Sequence, residues 1–383
     1  MTPNRRELLA TFLAAAALRT ATADDAVTVP GKRPLILQND RPEDLETPVR
    51  YFDSWTTPTD AFYVRQHLPR PPRIDRGAYR LTINGRVSKT VELTLIDLER
   101  LPQITVPATL ECAGNGRAFF RPAVPGIQWT RGAIGNAEWA GPRLADVLAL
   151  AGADRSAAFV EMDGADSGAG GTPDFIRSMP MKKALDSATL LALRMNGEPI
   201  PDIHGFPARL IAPGWCGSNF VKWVTRLSPA TERHGGFFMN PAYRFPKTPV
   251  PPGGAAPAAD LEPIEGMPEK STITSPEDQA SVNAGPQVIR GFAWAGEEAI
   301  ERVEVSTDGG SRWGDASLSP QKLRYAWRLW QFNWRPEAPG YYTILSRATD
   351  SAGRVQPVVA TWNPSGYLYN AIDRIGVKVE KGA

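Results

Sequence analysis

Cys112 sits in the run TLECAGNGR at 109–117, the stretch of this chain whose residue types could do the most chemistry. A thiolate is a soft donor suited to a transition metal, and the small residues Ala113, Gly114 and Gly116 let a bulky group approach the backbone. Arg117, five positions on, could face the same centre. Alone, the run also fits a buried cysteine acting as a small hydrophobe before an ordinary turn, so its meaning rests on its companions.

Two companions carry cations. In FYVRQH at 62–67, Arg65 and His67 stand two apart, so an extended segment projects both to one face; a guanidinium beside an imidazole is a good anion receptor. In HGFPARLIAPG at 204–214 and the WCGSNFVKW that follows, His204, Arg209 and Lys222 are spaced too widely for one helical face. They suit loops wrapping a phosphorylated ligand, with Gly217 and Ser218 offering backbone and hydroxyl donors. Each fragment alone also reads as solvated charge on a strand or loop.

The elements that position these residues are strands and short helices, an α+β pattern. Strands are expected over Thr105–Glu111, Phe159–Met162 and Phe206–Ala212, placing Cys112 at a strand end. Tyr79–Ile83, Asn84-Gly85 and Arg86-Val87 read as a tight hairpin. Thr94 with Asp97 starts a helix through Leu101, and Leu144, Val147, Leu148 and Ala151 form an apolar helical face closed by Gly152. After residue 247 the composition shifts. The stretch 248–268 is rich in Pro, Gly and Ala and is expected to support neither helix nor strand. Beyond it, Val303 and Val305 alternate with polar residues, and 325–334 and 341–348 are aromatic or β-branched runs, which predicts an immunoglobulin-like β-sandwich over 269–383.

At 383 residues the chain suggests two domains. Its formal charge is +2, and residues 1–23 hold Arg5, Arg6, Arg19 and Glu7, so the remainder is near neutral. That argues against nucleic acid or an anionic membrane as the main partner. Arg5-Arg6 precede an alanine-rich apolar run and Ala21-Thr22-Ala23, which reads as a Tat export signal over 1–23 and predicts a periplasmic protein. The apolar run is far short of the ~20 residues that span a bilayer. Cys112 and Cys216 are the two cysteines, so one disulfide is possible; there is no Cys-x-x-Cys-His for covalent haem, and three scattered histidines do not suggest a zinc site.

Taken together, FYVRQH at 62–67, TLECAGNGR at 109–117, GAIGNAEW at 132–139, HGFPARLIAPG at 204–214, FVKW at 220–223 and the C-terminal sandwich resemble the sulfite oxidase family of molybdenum enzymes, in order and across the chain after residue 23. The resemblance implies a molybdenum-pterin catalytic domain over 24–247 and a dimerisation domain over 269–383, and hence a homodimer. It implies that the Cys112 thiolate binds molybdenum beside the dithiolene of a single pterin. Tyr63, Val64, Arg65 and His67 then touch the pterin and substrate pocket, and His204, Arg209, Phe220, Val221 and Lys222 the pterin and its phosphate. Asp166 matches a pterin-contacting aspartate, with Asp163 as the alternative. Arg65, His67, Arg117 and Tyr243 make up the catalytic set around an oxyanion.

The activity implied is sulfite dehydrogenation. Some relatives carry a cytochrome b5-type domain ahead of the molybdenum domain, where this chain has the signal and a short arm, so an external c-type cytochrome is the expected acceptor. Alternatives are a sulfane dehydrogenase, a sulfoxide reductase, a hydrolase using Cys112 as nucleophile, or a periplasmic binding or adhesion protein built on the sandwich.

Overall fold

The computed structural model describes residues 26–68, 72–168 and 171–381; the expected export signal lies outside them. Strands dominate, and the α-helices are short: Leu95–Arg100, Leu144–Ala149 and Met181–Ala184. The first starts at Thr94, whose Oγ1 accepts from the Asp97 N–H while Asp97 Oδ2 accepts from the Thr94 N–H. This reciprocal cap satisfies donors that a helix start leaves orphaned. The second buries Leu144, Val147 and Leu148 on one face, and Gly152 then turns the chain away at φ +61°.

Three sheets carry the residues of interest. Gln103–Glu111 pairs antiparallel with Ile134–Pro142, from Gln103 opposite Pro142 to Glu111 opposite Ile134. Cys112 is the next residue, and its N–H donates to Ala133 O at 2.9 Å. A smaller sheet runs Ala26–Val27, Leu35–Asn39, Asp44–Glu46, Val64–Arg65, and its register sets Asp44 opposite Arg65. The third has the order Arg177–Pro180, Phe159–Gly164, Val224–Ala230, Leu81–Ile83, Val91–Leu93, with one parallel pair at Arg226–Leu227 beside Thr82–Ile83. Leu110, Trp139, Leu191 and Leu210 fill the interior. Each such side chain contributes roughly 1.5–3 kcal/mol by leaving water.

Two expectations need correction. The strand Leu81–Ile83 does not fold back onto Arg86-Val87; its antiparallel partner is Val91–Leu93. The Asn84-Gly85 bend forms, with Gly85 at φ +82°, but Asn84 N–H donates to Leu227 O and Arg86 N–H to Pro229 O. A longer-range strand therefore takes the hydrogen bonds a local hairpin would use. The Pro/Gly/Ala-rich connector also contains a strand, Leu261–Pro263, antiparallel to Arg244–Pro246. It forms because Leu261-Glu262 is an interruption free of Gly and Pro. This short ladder continues as Ile264 N–H donates to Tyr243 O at 2.9 Å, so the connector holds Tyr243 in place.

The C-terminal part is the expected sandwich. One sheet runs Lys270–Ser275, Gln287–Trp294, Arg328–Trp334, Ser317–Leu318, the other Ala280–Asn283, Asp373–Glu380, Gly340–Asp350, Ile300–Ser306, Gly314–Asp315. Ile273, Ile289, Val303, Ile344 and Val377 pack between them. Phe292, Trp294 and Trp327 instead join the core of the first domain, where Phe52 lies edge-on to Phe292 and Trp327. The core of the first domain thus extends into the sandwich, which also keeps a core of its own.

Polar groups also cross this boundary. The buried Glu111 carboxylate accepts from Asn115 Nδ2 (2.9 Å), from Trp294 Nε1 (2.9 Å) and from Lys270 Nζ (3.3 Å), the last two belonging to the sandwich. Removing one partner of a buried pair leaves the other charge uncompensated, at a cost of about 3–5 kcal/mol. We expect Lys270→Met to lower the unfolding free energy by about 3 kcal/mol, and the Lys270→Met, Glu111→Gln double variant to lose clearly less. Denaturant titration reads both, and equal losses would show that the pair carries no such coupling.

Candidate active site

Beyond Glu111 the chain must turn sharply while leaving Cys112 facing inward. Asn115 N–H donates to Cys112 O at 2.9 Å, and Gly116 adopts φ +88° ahead of the single helical turn Arg117–Phe119. A Cβ at position 116 would lie 2.8 Å from the Tyr369 ring, and one at 114 would lie 2.8 Å from the Arg117 guanidinium. The glycines after the cysteine are therefore steric requirements. Burial pushes the Cys112 thiol pKa up, while Arg65, the Gly114 N–H and Arg117 pull it down. A thiol so placed favours its anion once a cation binds it.

Cys112 opens on a cavity whose walls include Tyr63, Arg65, His67, Asp166, His204, Arg209, Phe220, Lys222 and Tyr243. Nine residues singled out in four separate sequence segments thus converge with the cysteine. Arg65 reaches it from the edge of the small sheet. Its Nη1 is held by Asp44 Oδ1 and Oδ2 at 3.1 and 3.3 Å and by Gln66 O. Burial works against the Arg65 charge, but Asp44, Tyr243 and Cys112 together outweigh it and raise the pKa. His67 stacks on Phe175 at 3.8 Å, and its Nε2 hydrogen-bonds the Tyr243 hydroxyl. Burial, then Arg65, Lys222 and Arg177, depress the imidazole pKa well below its usual value. Burial raises that of the Tyr243 phenol, so both groups are neutral near pH 7.

The wall beside Arg65 continues with further cations. Lys222 Nζ donates to Gln66 Oε1 (2.6 Å) and Arg65 O (3.1 Å) and lies 4.2 Å from the Trp223 ring centre. Arg209 donates from Nη1 to His204 O (3.1 Å) and from Nη2 to Phe220 O (3.4 Å), and its Nε is buried without a partner. Ser218 Oγ, in the same wall, is likewise buried and unpartnered. Burial moves the Asp166 carboxyl up to about 6 against the pull of Lys222. A Cβ at Gly164 would meet Lys222 O at 2.5 Å and Asp166 Oδ1 at 2.6 Å, so glycine there allows that close approach.

Four of the sequence-derived residues lie elsewhere. Val64 packs with Leu35 and Leu45 behind the wall, and Val221 is in the main core. Asp163 is inside the Phe159–Gly164 strand and pairs with Arg226 at 2.9 Å, whereas Asp166, beyond the strand end, lines the cavity. Arg117 does not line the cavity. Its Nε donates to Ser365 O (3.1 Å) and its Nη1 to Ile127 O (2.9 Å), while its guanidinium carbon is 5.2 Å from the Tyr367 ring centre. Cβ atoms at Gly114, Gly126 or Gly366 would all fall within 2.8 Å of its side chain. Cys216 is buried and, like Cys112, free.

Sequence reasoning missed three participants. Lys32 donates to Phe62 O at 2.9 Å and contacts His204 Nε2; burial brings its pKa down to about 7. Tyr367, from the sandwich, stacks on Tyr243 at 5.4 Å. Arg177 lies 5.2 Å from the centre of the Tyr243 ring. Lys32 and Arg177 are single charged residues in otherwise unremarkable segments, and no local pattern distinguishes them.

Fold and cavity define an oxidoreductase of the molybdopterin-binding class. Residues 67–238 match the family model of the oxidoreductase molybdopterin binding domain, and residues 262–380 that of the Mo-co oxidoreductase dimerisation domain. The chain is 37% identical to mitochondrial sulfite oxidase of Mus musculus over 93% of its own length and 67% of that protein's. It is 34% identical to sulfite oxidase of Arabidopsis thaliana over 84% and 88%. The crystal structure of the sulfane dehydrogenase SoxCD from Paracoccus pantotrophus superposes with a TM-score of 0.78 at 31% identity, covering 98% of this chain and 96% of that one. The chain belongs to the sulfite oxidase family, whose cofactor is a molybdenum-pterin.

The residues present fit that group. A thiol at the cavity floor suits molybdenum, while Arg209, Lys222, His204 and the unpartnered Arg209 Nε and Ser218 Oγ suit a phosphorylated pterin. Gly217 also belongs to the wall, where a Cβ would come within 2.9 Å of Glu111 O.

The neutral His67 has a consequence for stability. Its folded pKa lies below the unfolded value near 6.5, so below that pH the unfolded chain takes up a proton that the folded protein resists. Acidification then destabilises the fold through this group by up to about 1.4 kcal/mol per pH unit. Asp166, with its raised pKa, acts in the opposite direction, so the informative quantity is a difference. Relative to His67→Gln, the wild-type protein is expected to lose unfolding free energy between pH 6.5 and 5. A constant difference across that range would place the imidazole in a solvated site.

Proposed function

We propose that this protein is a periplasmic sulfite dehydrogenase that converts sulfite and water to sulfate, releasing two protons and passing two electrons to an external c-type cytochrome. The observation that carries the reading is Arg65 beside Cys112. It is a guanidinium fixed by Asp44 through one nitrogen, in the wall of a cavity that also holds the His67–Tyr243 pair.

Each residue has a distinct task. The free edge of Arg65 binds the oxygens of a small oxyanion by charge-assisted hydrogen bonds, strengthened where water is scarce. Asp44 fixes the orientation of that edge. Tyr243 Oη, protonated at neutral pH, donates to the substrate or orients the attacking water. His67 Nε2, neutral and bonded to the phenol, fixes the direction of the Tyr243 hydroxyl. Cys112 supplies the thiolate ligand, and Asp166, His204, Arg209 and Lys222 hold the pterin and its phosphate. When bound, the molybdenum-pterin supplies the two-electron redox chemistry.

Export to the periplasm is supported by the twin arginine pattern, and a separate cytochrome by the lack of a haem attachment motif in these 383 residues. The likeness to SoxCD supports a second reading, oxidation of a sulfane sulfur. Cytochrome c reduction by the molybdenum-loaded protein, with sulfite in one arm and a persulfide in the other, separates the two.

Losing a charged hydrogen bond to an oxyanion is worth about 2 kcal/mol, so Arg65→Gln with Asp44→Asn is expected to raise KM for sulfite about 30-fold. Molybdenum content should stay unchanged, and an unaltered KM would remove Arg65 from the substrate site. Replacing Arg5-Arg6 by two lysines is expected to leave the protein in the cytoplasm on fractionation; normal export would refute the proposed route.

A further inference from the structure

Arg177 is fully buried on the Arg177–Pro180 strand, and the described residues give it no counterion. Its Nη1 donates to Phe238 O, its Nη2 donates to Asn219 Oδ1 at 2.9 Å, and its Nε has no partner. Its guanidinium carbon lies 5.2 Å from the Tyr243 ring centre. Every neighbour that receives it is neutral: a carbonyl, an amide and an aromatic ring.

The surroundings hold that arrangement in place. Asn219 Nδ2 donates to Cys216 O (3.3 Å) and Ile264 O (3.2 Å), so its Oδ1 has to face Arg177. Tyr243 is itself fixed by Ile264 N–H on its carbonyl, by His67 on its hydroxyl and by Tyr367 stacked at an interplanar angle of 15°. A buried cation without an acid is unfavourable until an anion comes near. Burial lowers the Arg177 pKa to about 10, which keeps the group charged at neutral pH.

The comparison with Arg65 matters. Arg65 touches the cavity, but Asp44 at 3.1 Å offsets its charge, so it contributes direction more than net field. Arg177 lies against the Tyr243 ring, outside the cavity lining, and its charge is not offset by an acid among the described residues. Coulomb attraction scales with the charge of the ligand, and at equal distance a dianion feels it twice as strongly as a monoanion.

We propose that Arg177 is a positioning residue that holds the Tyr243 ring and, through its uncompensated charge, makes the cavity prefer doubly charged over singly charged oxyanions. The inference deepens the oxyanion-oxidising reading and rests on it. Substrate selection is thereby split between Arg65, which recognises oxygens, and Arg177, which weighs total charge.

The test is binding of sulfate and of nitrate to the molybdenum-loaded protein, followed by titration calorimetry, for wild type, Arg177→Gln and Arg177→Lys. Wild type is expected to prefer sulfate. Arg177→Gln should weaken sulfate about 25-fold and nitrate about 5-fold, whereas Arg177→Lys should keep the wild-type ratio. Should Arg177→Gln not fold, Arg177→Met removes the same charge at similar length. Equal weakening of both anions, a Lys variant that behaves like the Gln variant, or a wild type indifferent to ligand charge would each overturn the proposal. Failure of wild type to reduce cytochrome c with sulfite would count against the substrate reading and leave the sulfate-to-nitrate ratio as a valid measure of Arg177.

Discussion

The cavity is organised around positive charge in excess of negative: Arg65, Arg209 and Lys222 line it with Asp166 as the one acid among the lining residues. Arg65 has Asp44, but Arg209 donates to backbone carbonyls, His204 is flanked by Lys32, and Arg177 meets only neutral acceptors. Charges in an interior of low dielectric interact strongly and are poorly screened. Such an interior is stable in its working form when an anionic group fills it, and a phosphorylated pterin with its thiolates does so. Binding the cofactor and completing the fold are therefore linked processes.

The same demand explains why the core of the first domain reaches into the sandwich. A cavity of this kind needs rigid walls, and the first domain supplies several of them as strand ends and loops. The sandwich braces these loops where they are weakest. Leu368 N–H donates to Ala113 O at 2.8 Å, Ser365 O accepts from Arg117, and Lys270 with Trp294 grips Glu111, one residue before the cysteine. Tyr243 and Leu368 both adopt φ +55°, a left-handed backbone that side chains other than glycine occupy at a cost of roughly 1–2 kcal/mol. Contacts from both domains maintain that conformation.

Much of this was legible in the order of residues, for identifiable reasons. The cysteine run, the two-apart Arg65 and His67 and the spread of His204, Arg209 and Lys222 are local patterns whose chemistry is evident before folding. The sandwich announced itself by alternation, and the capped helix by Thr94 and Asp97. What was not legible depends on distance along the chain. Lys32 meets His204 across 172 residues and Arg117 meets Ser365 across 248, and no short pattern records such meetings. The Val91–Leu93 partner of Leu81–Ile83 escaped notice because a good turn sequence at Asn84-Gly85 suggested a nearer one. Asp163 and Asp166 were indistinguishable until the strand end fell between them.

The grip of the sandwich on the Cys112 loop sets an order of events during synthesis. While a ribosome still holds the segment containing Lys270, Trp294, Ser365 and Leu368, the loop has none of the four contacts that shape it. Synthesis thus delivers the strand leading to the cysteine before the groups that brace the loop behind it, and a chain cut short ahead of the sandwich would leave that thiol without any of them.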